Sequence, residues 1–479
     1  MKIINLDIGV FMKKVLFIAF YFNQTNEIAS KRLRGLAKYL PQFGWEPIVI
    51  VPKLDNISSY DKYNYNFKVI ETDYEYMLDK WLNKFKKTSK NNINDINNNN
   101  NNNENYNDNI NNNINDNIDY NIDNNSTTNK NNNNNNDNND KNKIANKLLS
   151  SITSIAGELF AYPDGMKYWY DGAIEASKEA IEVNDIQTII SSSWPVTSHI
   201  IAKNLTQQYN LKWIADLRDL WNMNPYVNHT FIRNHFEKKL EIETFKYANV
   251  LTTTTDLATK TLQKLHPDKK IHTVMSGYDL EDITENNTPK DIKKLNFTYA
   301  GSLYGGKRDP TLLFNGIRQL INEEKVDSNL LQLDFYGDSG ELEKIAKKYK
   351  LEEVVNIHGK IAHSEVLKIQ KESQGLLLLS WNDEKEEMFL PGKIYEYLAA
   401  KRPVLSIGYK EGSLKDIIEK TNIGHHVSTL EETKIGFMDF YNSYTKNNSL
   451  KYTGNSEVNN YSLLATARNF GNILDSIGN

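Results

Sequence analysis

Short apolar runs alternate along the chain with segments in which apolar residues recur every three or four positions. The first run spans residues 15–20. It is followed by Leu33, Leu36, Ala37 and Leu40, which have the spacing of one buried helix face. Short apolar runs predict buried strands, and the wider spacing predicts amphipathic helices. The pattern therefore predicts strands and helices in alternation.

The predicted strands fall into two series, separated by the polar stretch 285–294. Alternation of strands with helices favours parallel, doubly wound sheets, and the strands are too numerous for one compact domain. We therefore predict an α/β protein with two Rossmann-like domains that face each other across a ligand cleft at the carboxyl ends of their strands. The predicted strands are 15–20, 47–51, 188–192, 213–216, 250–253 and 272–275, then 296–300, 331–336, 354–358, 376–380 and 404–407.

The same pattern predicts the domain limits. We expect an N-terminal extension, an N-terminal acceptor-side domain, a linker, a C-terminal donor-binding domain and a final helix that crosses back to the first domain. An Asn-rich tract within the first domain lacks the apolar surface needed to offset the entropy of ordering, and it predicts a disordered insertion. The predicted limits are 1–11, 12–284, 285–294, 295–455 and 456–479, with the Asn-rich insertion at 89–143.

Composition narrows the class of protein. Of the 479 residues, 39% are hydrophobic, and the Asn-rich tract accounts for most of this low value. A net charge of −4 provides no overall basic field for nucleic acid. The absence of cysteine excludes disulfides and thiolate metal sites and fits a reducing compartment. Because the chain has neither a signal-peptide pattern nor an apolar run long enough to span a membrane, we expect a cytoplasmic protein.

The most informative segment is 390–408, LPGKIYEYLAAKRPVLSIG. Proline in a first turn favours a helix start, and the free N–H groups of such a start attract phosphate. A lysine there adds charge, and a glutamate one turn later can accept hydrogen bonds from a ribose diol. An ordinary amphipathic helix with a solvated Lys–Glu pair is the alternative interpretation. The candidate residues are Leu390, Pro391, Gly392, Lys393 and Glu396.

Two further strand-to-helix turns carry candidate binding residues. Segment 299–314, YAGSLYGGKRDPTLLF, places Lys307 and Arg308 just before a helix. Segment 357–361, IHGKI, ends the strand predicted at 354–358. In both cases the alternative interpretation is structural, a turn with surface charges or simple scaffold.

Segment 390–403 resembles the donor-binding motif of the family-4 retaining glycosyltransferases (group 1, GT-B fold), in a subgroup with the motif P-x-K-I-x-E-Y-L-A. The resemblance implies transfer of a sugar from a nucleoside-diphosphate sugar to a hydroxyl of a glycan or lipid-linked acceptor, with retention at the anomeric carbon. It also implies that the enzyme uses no metal or other cofactor, and we find no carboxylate or histidine cluster with metal-ligand spacing.

The resemblance also implies roles for individual residues. Glu396 would bind the nucleotide ribose, and the loop from Leu390 to Lys393 would face the diphosphate. Lys307, with Arg308 beside it, and Lys393 would stabilise the departing diphosphate. The remaining candidates are Gly301 and Ser302 in the first strand-end turn, and Gly359, Lys360 and Ile361 near the nucleotide base.

Three positions depart from the family pattern. Met388 stands where most members have a glutamate beside the transferred sugar, although Glu386 and Glu387 lie close by. Ser302 replaces an arginine, and residues 24–28 replace a Gly-Gly loop. The sugar-facing half of the site is therefore less well defined than the nucleotide-facing half.

The N-terminal domain contributes further candidates. His199 follows the strand predicted at 188–192, and we predict a catalytic role in orienting the acceptor hydroxyl or the sugar, with a structural histidine as the alternative. Segment 216–221 resembles the subgroup stretch D-x-R-D-x-W, whose charges either face the cleft or form an internal Arg218–Asp ion pair. Arg32 and Arg34 are candidate phosphate contacts or parts of a solvated helix face.

Two segments are candidate contacts with a membrane surface. Residues 80–90 are basic and aromatic, and residues 148–159 carry an apolar stripe. Such a surface would suit a lipid-linked acceptor at the inner face of a membrane. The alternative for the stripe is a helix that packs on the core.

Two other functions stay open at this point. A sugar-nucleotide epimerase on the same scaffold would bind the same donor but would need acid–base carboxylates near the sugar. A degenerate binding protein without catalysis would explain the three departures from the family pattern. Fold alone does not separate these possibilities.

Overall fold

The structure is a computed structural model that describes residues 12–23, 28–54, 66–74, 162–227, 229–283 and 293–478. The N-terminal extension, the Asn-rich tract and both candidate membrane segments lie outside the described residues. So do residues 24–27 and most of the predicted linker.

Thirteen strands are described, seven in one sheet and six in another. The strands are β1 (Lys13–Ile18), β2 (Trp45–Pro52), β3 (Lys68–Thr72), β4 (Thr188–Ser192), β5 (Lys212–Leu217), β6 (Val250–Thr253), β7 (Lys270–Thr273), β8 (Leu295–Ala300), β9 (Leu331–Tyr336), β10 (Val355–Gly359), β11 (Gly375–Leu379), β12 (Val404–Ile407) and β13 (Gly424–Val427).

Helices connect the strands on both faces of each sheet. The described α-helices are α1 (Ile28–Tyr39), α2 (Tyr170–Asn184), α3 (Thr197–Tyr209), α4 (Phe231–Phe245), α5 (Asp256–Leu265), α6 (Thr311–Asn322), α7 (Leu342–Lys348), α8 (His363–Glu372), α9 (Lys393–Ala400), α10 (Ser413–Thr421), α11 (Leu430–Asn447) and α12 (Leu463–Gly478). Short 3₁₀ turns cover Leu40–Phe43, Lys167–Trp169, Leu280–Asp282, Tyr304–Gly306, Ser328–Leu330, Glu384–Glu386 and Ser456–Tyr461.

The N-terminal sheet has the order β3-β2-β1-β4-β5-β6-β7, and all its pairings are parallel. Successive residues of a strand point to opposite faces, so β1 contributes side chains to the hydrophobic clusters on both faces of the sheet. Leu16 and Ile18 belong to one apolar cluster, and Val15 and Phe17 belong to the other. The sheet is therefore buried on both faces, as the apolar runs predict.

The C-terminal sheet has the order β10-β9-β8-β11-β12-β13 and is also parallel throughout. Its central strand β11 reads GLLLL and is completely buried. Leu377 and Leu379 face one cluster, and Leu376 and Leu378 face the other. The prediction of two doubly wound α/β domains is confirmed.

The end of the chain packs against the N-terminal domain. Phe470 and Leu474 of α12 lie in the same apolar cluster as Val15 and Leu36. At the first residue of α12, Leu463 N donates a hydrogen bond of 2.9 Å to the Tyr278 carbonyl oxygen. Residues 277–278, which lead out of the first domain, therefore lie directly against residues 461–463, which return to it.

Gly277 makes this crossing possible. A Cβ atom at this position would lie 2.3 Å from the carbonyl carbon of Ser462 and 2.6 Å from Leu463 N. Both neighbours are backbone atoms, so they cannot rotate away as a side chain would. Only glycine allows the two segments to approach this closely.

No helix among the described residues is long and apolar enough to cross a membrane.

Candidate functional site

Three strand-end turns are stacked at the carboxyl edge of the C-terminal sheet. Gly301 N donates to the Tyr336 carbonyl oxygen at 2.8 Å, and Gly337 N donates to the Gly359 carbonyl oxygen at 2.7 Å. A Cβ atom on Gly337 would lie 2.6 Å from the Gly301 carbonyl oxygen. The turns after β8, β9 and β10 thus form one backbone surface, and it includes two of the predicted binding residues, Gly301 and Gly359.

Lys393 is held against the first of these turns. Its Nζ donates a hydrogen bond of 2.9 Å to the Ala300 carbonyl oxygen and lies 4.0 Å from the centre of the Tyr299 ring. A Cβ atom on Gly301 would lie 2.7 Å from the same Nζ. Gly301 therefore leaves room for the ammonium group that α9 supplies.

Burial, and the Arg308 guanidinium to a smaller extent, lower the pKa of Lys393 well below its usual value. Desolvation favours the neutral amine, and a second cation nearby acts in the same direction. A negatively charged phosphate bound at this position would favour the ammonium form and so oppose both effects. The position of Lys393 therefore suits an anionic ligand such as a phosphate group.

Glu396 lies one turn along α9 and is 18% exposed. Lys31 of α1, which belongs to the other domain, donates to its Oε1 at 2.9 Å. Gln370 donates to Oε2 at 3.3 Å, and His363 Nε2 lies 3.7 Å from Oε1. The predicted ribose-binding carboxylate is therefore at the contact between the two domains.

Lys307 and Arg308 occupy the turn before α6. Lys307 is exposed, and its Nζ lies 4.7 Å from the centre of the Trp381 ring. Arg308 lies over the Tyr304 ring at 4.2 Å, and its Nη1 donates to the Ser302 carbonyl oxygen at 3.5 Å. The Ser302 hydroxyl accepts from Tyr304 N at 3.1 Å, so this serine shapes the turn.

The remaining donor-side candidates flank these groups. Lys360 is exposed and Ile361 half-buried, directly after β10. Leu390 packs on the apolar cluster beside α9, and the Pro391 carbonyl oxygen accepts from Ile394 N at 3.0 Å. Gly392 directly precedes α9. Their roles in donor binding stay predictions.

His199 is not brought together with these residues. It has no exposed surface, and burial lowers its pKa to about 3. Trp213 Nε1 donates to Ser191 Oγ at 2.8 Å, and Ser191 Oγ lies 2.7 Å from His199 Nδ1. If Ser191 donates its proton to Nδ1, the Trp213 indole, the Ser191 hydroxyl and Nδ1 all have hydrogen-bond partners. The Nε2–H group of His199 has none.

That remaining group is buried, and the His199 ring packs against an aromatic ring. The Phe245 ring centre lies 5.1 Å from that of His199, with the planes 72° apart in a T-shaped arrangement. The neutral imidazole is therefore a packing group inside the N-terminal domain. It has no exposed surface that a substrate hydroxyl could reach, which argues against the predicted catalytic role.

Arg32 and Arg218 of the first domain form internal ion pairs. Arg32, considered as a phosphate contact, is 2% exposed and binds Asp216 through Nε at 3.2 Å and Nη2 at 2.9 Å. Arg218 pairs with Asp219 at 3.0 Å. Burial alone would raise the pKa of Asp216, but the Arg32 charge and the hydrogen bonds lower it. Of the two interpretations of segment 216–221, the structure favours internal ion pairing.

The loop between β11 and α9 makes further contacts with the other domain. Met388 packs against the N-terminal core, and its carbonyl oxygen accepts from Thr255 Oγ1 at 2.8 Å. Glu386 accepts hydrogen bonds from Ser380 Oγ at 2.8 Å and from the Tyr226 hydroxyl. The position that lacks the family glutamate is thus an interdomain packing position.

Lys31, Gln370 and Tyr226 were not predicted as site residues. Lys31 directly precedes Arg32, and Tyr226 follows the stretch 216–221 by five positions, so both lie beside segments that the sequence marks as informative. No local pattern identifies which side chain crosses to the other domain.

Comparison with known proteins gives the same architecture. Sucrose-phosphate synthase from Thermosynechococcus elongatus is similar over 97% of this chain and 98% of its own, with 13% identity and a TM-score of 0.56. A glycosyltransferase from Rickettsia africae ESF-5 covers the same shares with 14% identity and a TM-score of 0.56. Anabaena HepE in complex with UDP matches 97% of this chain and 100% of its own, with 9% identity and a TM-score of 0.54.

The chain has the GT-B fold. No protein-family model and no curated protein matches it, and identities of this size establish the fold alone. Function therefore has to be argued from the site.

Proposed function

We propose that the protein is a retaining glycosyltransferase that moves a sugar from a nucleoside-diphosphate sugar to an acceptor hydroxyl. The observation that carries this proposal is the position of Lys393, held between the Gly301 turn and the cleft, with Glu396 one turn further along the same helix. A cation beside a glycine turn and a carboxylate one turn further along the same helix suit a diphosphate and a ribose diol.

The proposed reaction breaks the bond between the anomeric carbon and the diphosphate oxygen. The acceptor oxygen attacks from the same face, and its proton passes to the departing diphosphate. Lys393 and Lys307 stabilise the negative charge on that leaving group. Arg308 lies beside them and adds to the positive potential, while the backbone of Gly359, Lys360 and Ile361 borders the base.

We propose a glycan, polysaccharide or glycolipid as the acceptor class, at the cytoplasmic face of a membrane where the acceptor is lipid-linked. This part rests on the resemblance of segment 390–403 and on the character of residues 80–90 and 148–159, which lie outside the described structure. UDP and UDP-glucose are the first ligands to test, because HepE has been crystallised with both.

The test has two stages. Thermal unfolding is measured with UDP-glucose, GDP-mannose, UDP and GDP, since a ligand that binds only the folded state raises the melting temperature. Transfer and donor hydrolysis are then measured for Glu396→Ala. We expect a loss of roughly tenfold to more than a hundredfold, because a charged hydrogen bond is worth about 1.5–3 kcal/mol.

Glu419→Ala is the matched control, because Glu419 is exposed on α10 of the same domain. Near-normal turnover by Glu396→Ala would contradict the donor assignment. Incubation of the donor alone separates transfer from epimerisation, since a new sugar isomer in that mixture would identify an epimerase.

A further inference from the structure

Helix α4 directs apolar side chains toward solvent. Phe231 is 87% exposed, Ile232 63% and Phe236 52%. A helix on the surface of a globular domain ordinarily turns its apolar residues inward and its charges outward. In α4 the buried positions instead include two carboxylates, those of Glu237 and Glu241. The usual pattern is therefore partly reversed in this helix.

The buried carboxylates hold α4 in this orientation. Trp221 Nε1 donates to Glu237 Oε2 at 2.6 Å, and Asn222 N donates to Glu241 Oε2 at 2.9 Å. His266 Nε2 lies 3.3 Å from the other oxygen of Glu241. Rotating the helix to bury its apolar side chains would separate these carboxylates from their partners, and buried polar groups without partners are costly. The outward direction of the apolar side chains is therefore fixed by the fold.

The same side of the helix is basic. Lys238 and Lys239 of α4, and Lys246 directly after it, are exposed, against a single exposed carboxylate, Glu243. Phe236 precedes Lys239 by three positions, a spacing that places two side chains on the same side of a helix. The outward side of α4 thus combines exposed apolar groups with a local excess of positive charge, in a chain whose net charge is −4.

This combination of groups favours one class of partner. The buried centre of a protein–protein interface is depleted in lysine. A second copy of this chain would bring the same excess of lysines against itself, and like charges in contact oppose association. An anionic bilayer accepts both kinds of group, because aromatic and aliphatic side chains enter the boundary between head groups and acyl chains while lysines contact the phosphates.

The exposed start of α4 also lies close to the contact between the domains. Tyr226, whose hydroxyl donates to Glu386 of the second domain, precedes Phe231 by five residues. Five residues span at most about 18 Å, so the Cα atoms of Tyr226 and Phe231 lie within that distance of each other. A bilayer in contact with α4 would therefore lie near the contact between the domains.

We propose that the α4 face, formed by Phe231, Ile232, Phe236, Lys238 and Lys239, docks the protein on an anionic lipid bilayer. The apolar side chains would enter the level of the head groups, and the lysines would contact the lipid phosphates. The proposal rests on the proposed function in one respect, that a lipid-linked acceptor would lie in the same bilayer. None of the five residues is a candidate for donor binding, so the two proposals can fail separately.

The test measures partitioning of the full-length protein onto lipid vesicles by co-sedimentation. One set of vesicles contains phosphatidylglycerol and phosphatidylcholine in about equal parts, and the other contains phosphatidylcholine alone. We expect Phe231→Ser/Ile232→Ser to weaken partitioning onto the anionic vesicles about tenfold or more, because both side chains leave water on docking. Lys238→Gln/Lys239→Gln should weaken it about tenfold as well, and its difference from the wild type should decrease at high salt.

The matched controls carry the same kinds of substitution at exposed positions of the second domain. They are Ile435→Ser on α11 and Lys347→Gln/Lys348→Gln on α7, and both should partition like the wild type. All four variants should melt like the wild type, because the replaced side chains are exposed.

Unchanged partitioning of Phe231→Ser/Ile232→Ser would overturn the proposal, and so would a loss of equal size in Ile435→Ser. Conversion of a wild-type dimer to a monomer by Phe231→Ser/Ile232→Ser, measured by light scattering, would assign the α4 face to a second copy and overturn the proposal as well. Vesicle binding that depends on the α4 face, in a protein that binds no sugar nucleotide, would support this docking surface and refute the proposed function.

Discussion

Replacing His199 with glutamine should remove an acid-dependent loss of stability from the N-terminal domain. The imidazole has no exposed surface, and burial lowers its pKa to about 3, whereas an unfolded histidine titrates near 6.5. Between these two values the unfolded chain binds a proton that the folded chain excludes. The stability that the buried neutral imidazole contributes is therefore fully present above about pH 6.5, and it decreases as the pH falls toward 3.

The size of the effect follows from the two pKa values. At pH 5.5, protonation of His199 in the unfolded chain lowers the free energy of unfolding by about 1.4 kcal/mol relative to pH 8. This corresponds to a decrease of about 3 to 6 °C in melting temperature for a domain of this size. Glutamine can still accept a hydrogen bond from Ser191 but cannot titrate. The variant should melt at a lower temperature than the wild type at pH 8, with the difference reduced at pH 5.5.

The assay is thermal unfolding of the wild type, His199→Gln and the control His272→Gln across pH 5 to 8. His272 is exposed and lies outside the hydrogen bonds around His199, so this variant controls for the loss of one imidazole at the surface. Parallel profiles for the wild type and His199→Gln would refute the argument from burial. Abolished transfer by a well-folded His199→Gln protein would restore the catalytic role that the sequence suggested.

Three further predictions concern the cleft and the crossing of the chain. The lowered pKa of Lys393 means that its side chain loses its positive charge at a lower pH than an ordinary lysine does, so UDP binding should weaken as the pH rises through that lower range. Calorimetry should show this decrease in affinity for the wild type. The same pH dependence in Lys393→Met would contradict the prediction. Lys31→Met should tighten UDP binding by up to about fivefold at low salt, because Lys31 competes with ribose for Glu396 Oε1; weaker binding would show that Lys31 assists the ligand instead. Gly277→Val should cost about 1–3 kcal/mol of stability, because its side chain would meet the backbone of residues 461–463, whereas Gly165→Ala has open space and should melt like the wild type.

Most of the fold could be predicted because buried strands carry their own signal. Strands such as β9 (LQLDFY) and β12 (VLSI) combine apolar runs with flanking turns, and the predicted ranges match the observed ones. The strands that were missed, β3 (KVIET) and β13 (GHHV), each form one edge of a sheet. An edge strand has a partner on one side only, so it tolerates polar residues that hide the pattern.

Candidate site residues could be predicted only where their positions depend on local sequence. Gly301, Gly392 and Lys393 belong to short strand-to-helix segments whose geometry follows from glycine, proline and the helix start. His199 shows the limit. Asp164 accepts from both the backbone N–H and the hydroxyl of Thr197 in the first turn of α3, the helix that carries His199 into the core beside Phe245. Asp164 comes from a segment more than thirty positions earlier in the chain.

The contacts between the domains change the interpretation of position 388. Lys31, Tyr226 and Thr255 of the first domain contact Glu396, Glu386 and Met388 of the second, so three cross-domain contacts fall within eleven consecutive residues that include the start of the donor motif. These contacts between the domains therefore lie on the same surface as the proposed donor site. A methionine at position 388 is not evidence of lost catalysis, because its side chain packs on the opposite domain while Glu386, two residues earlier, presents a carboxylate beside it.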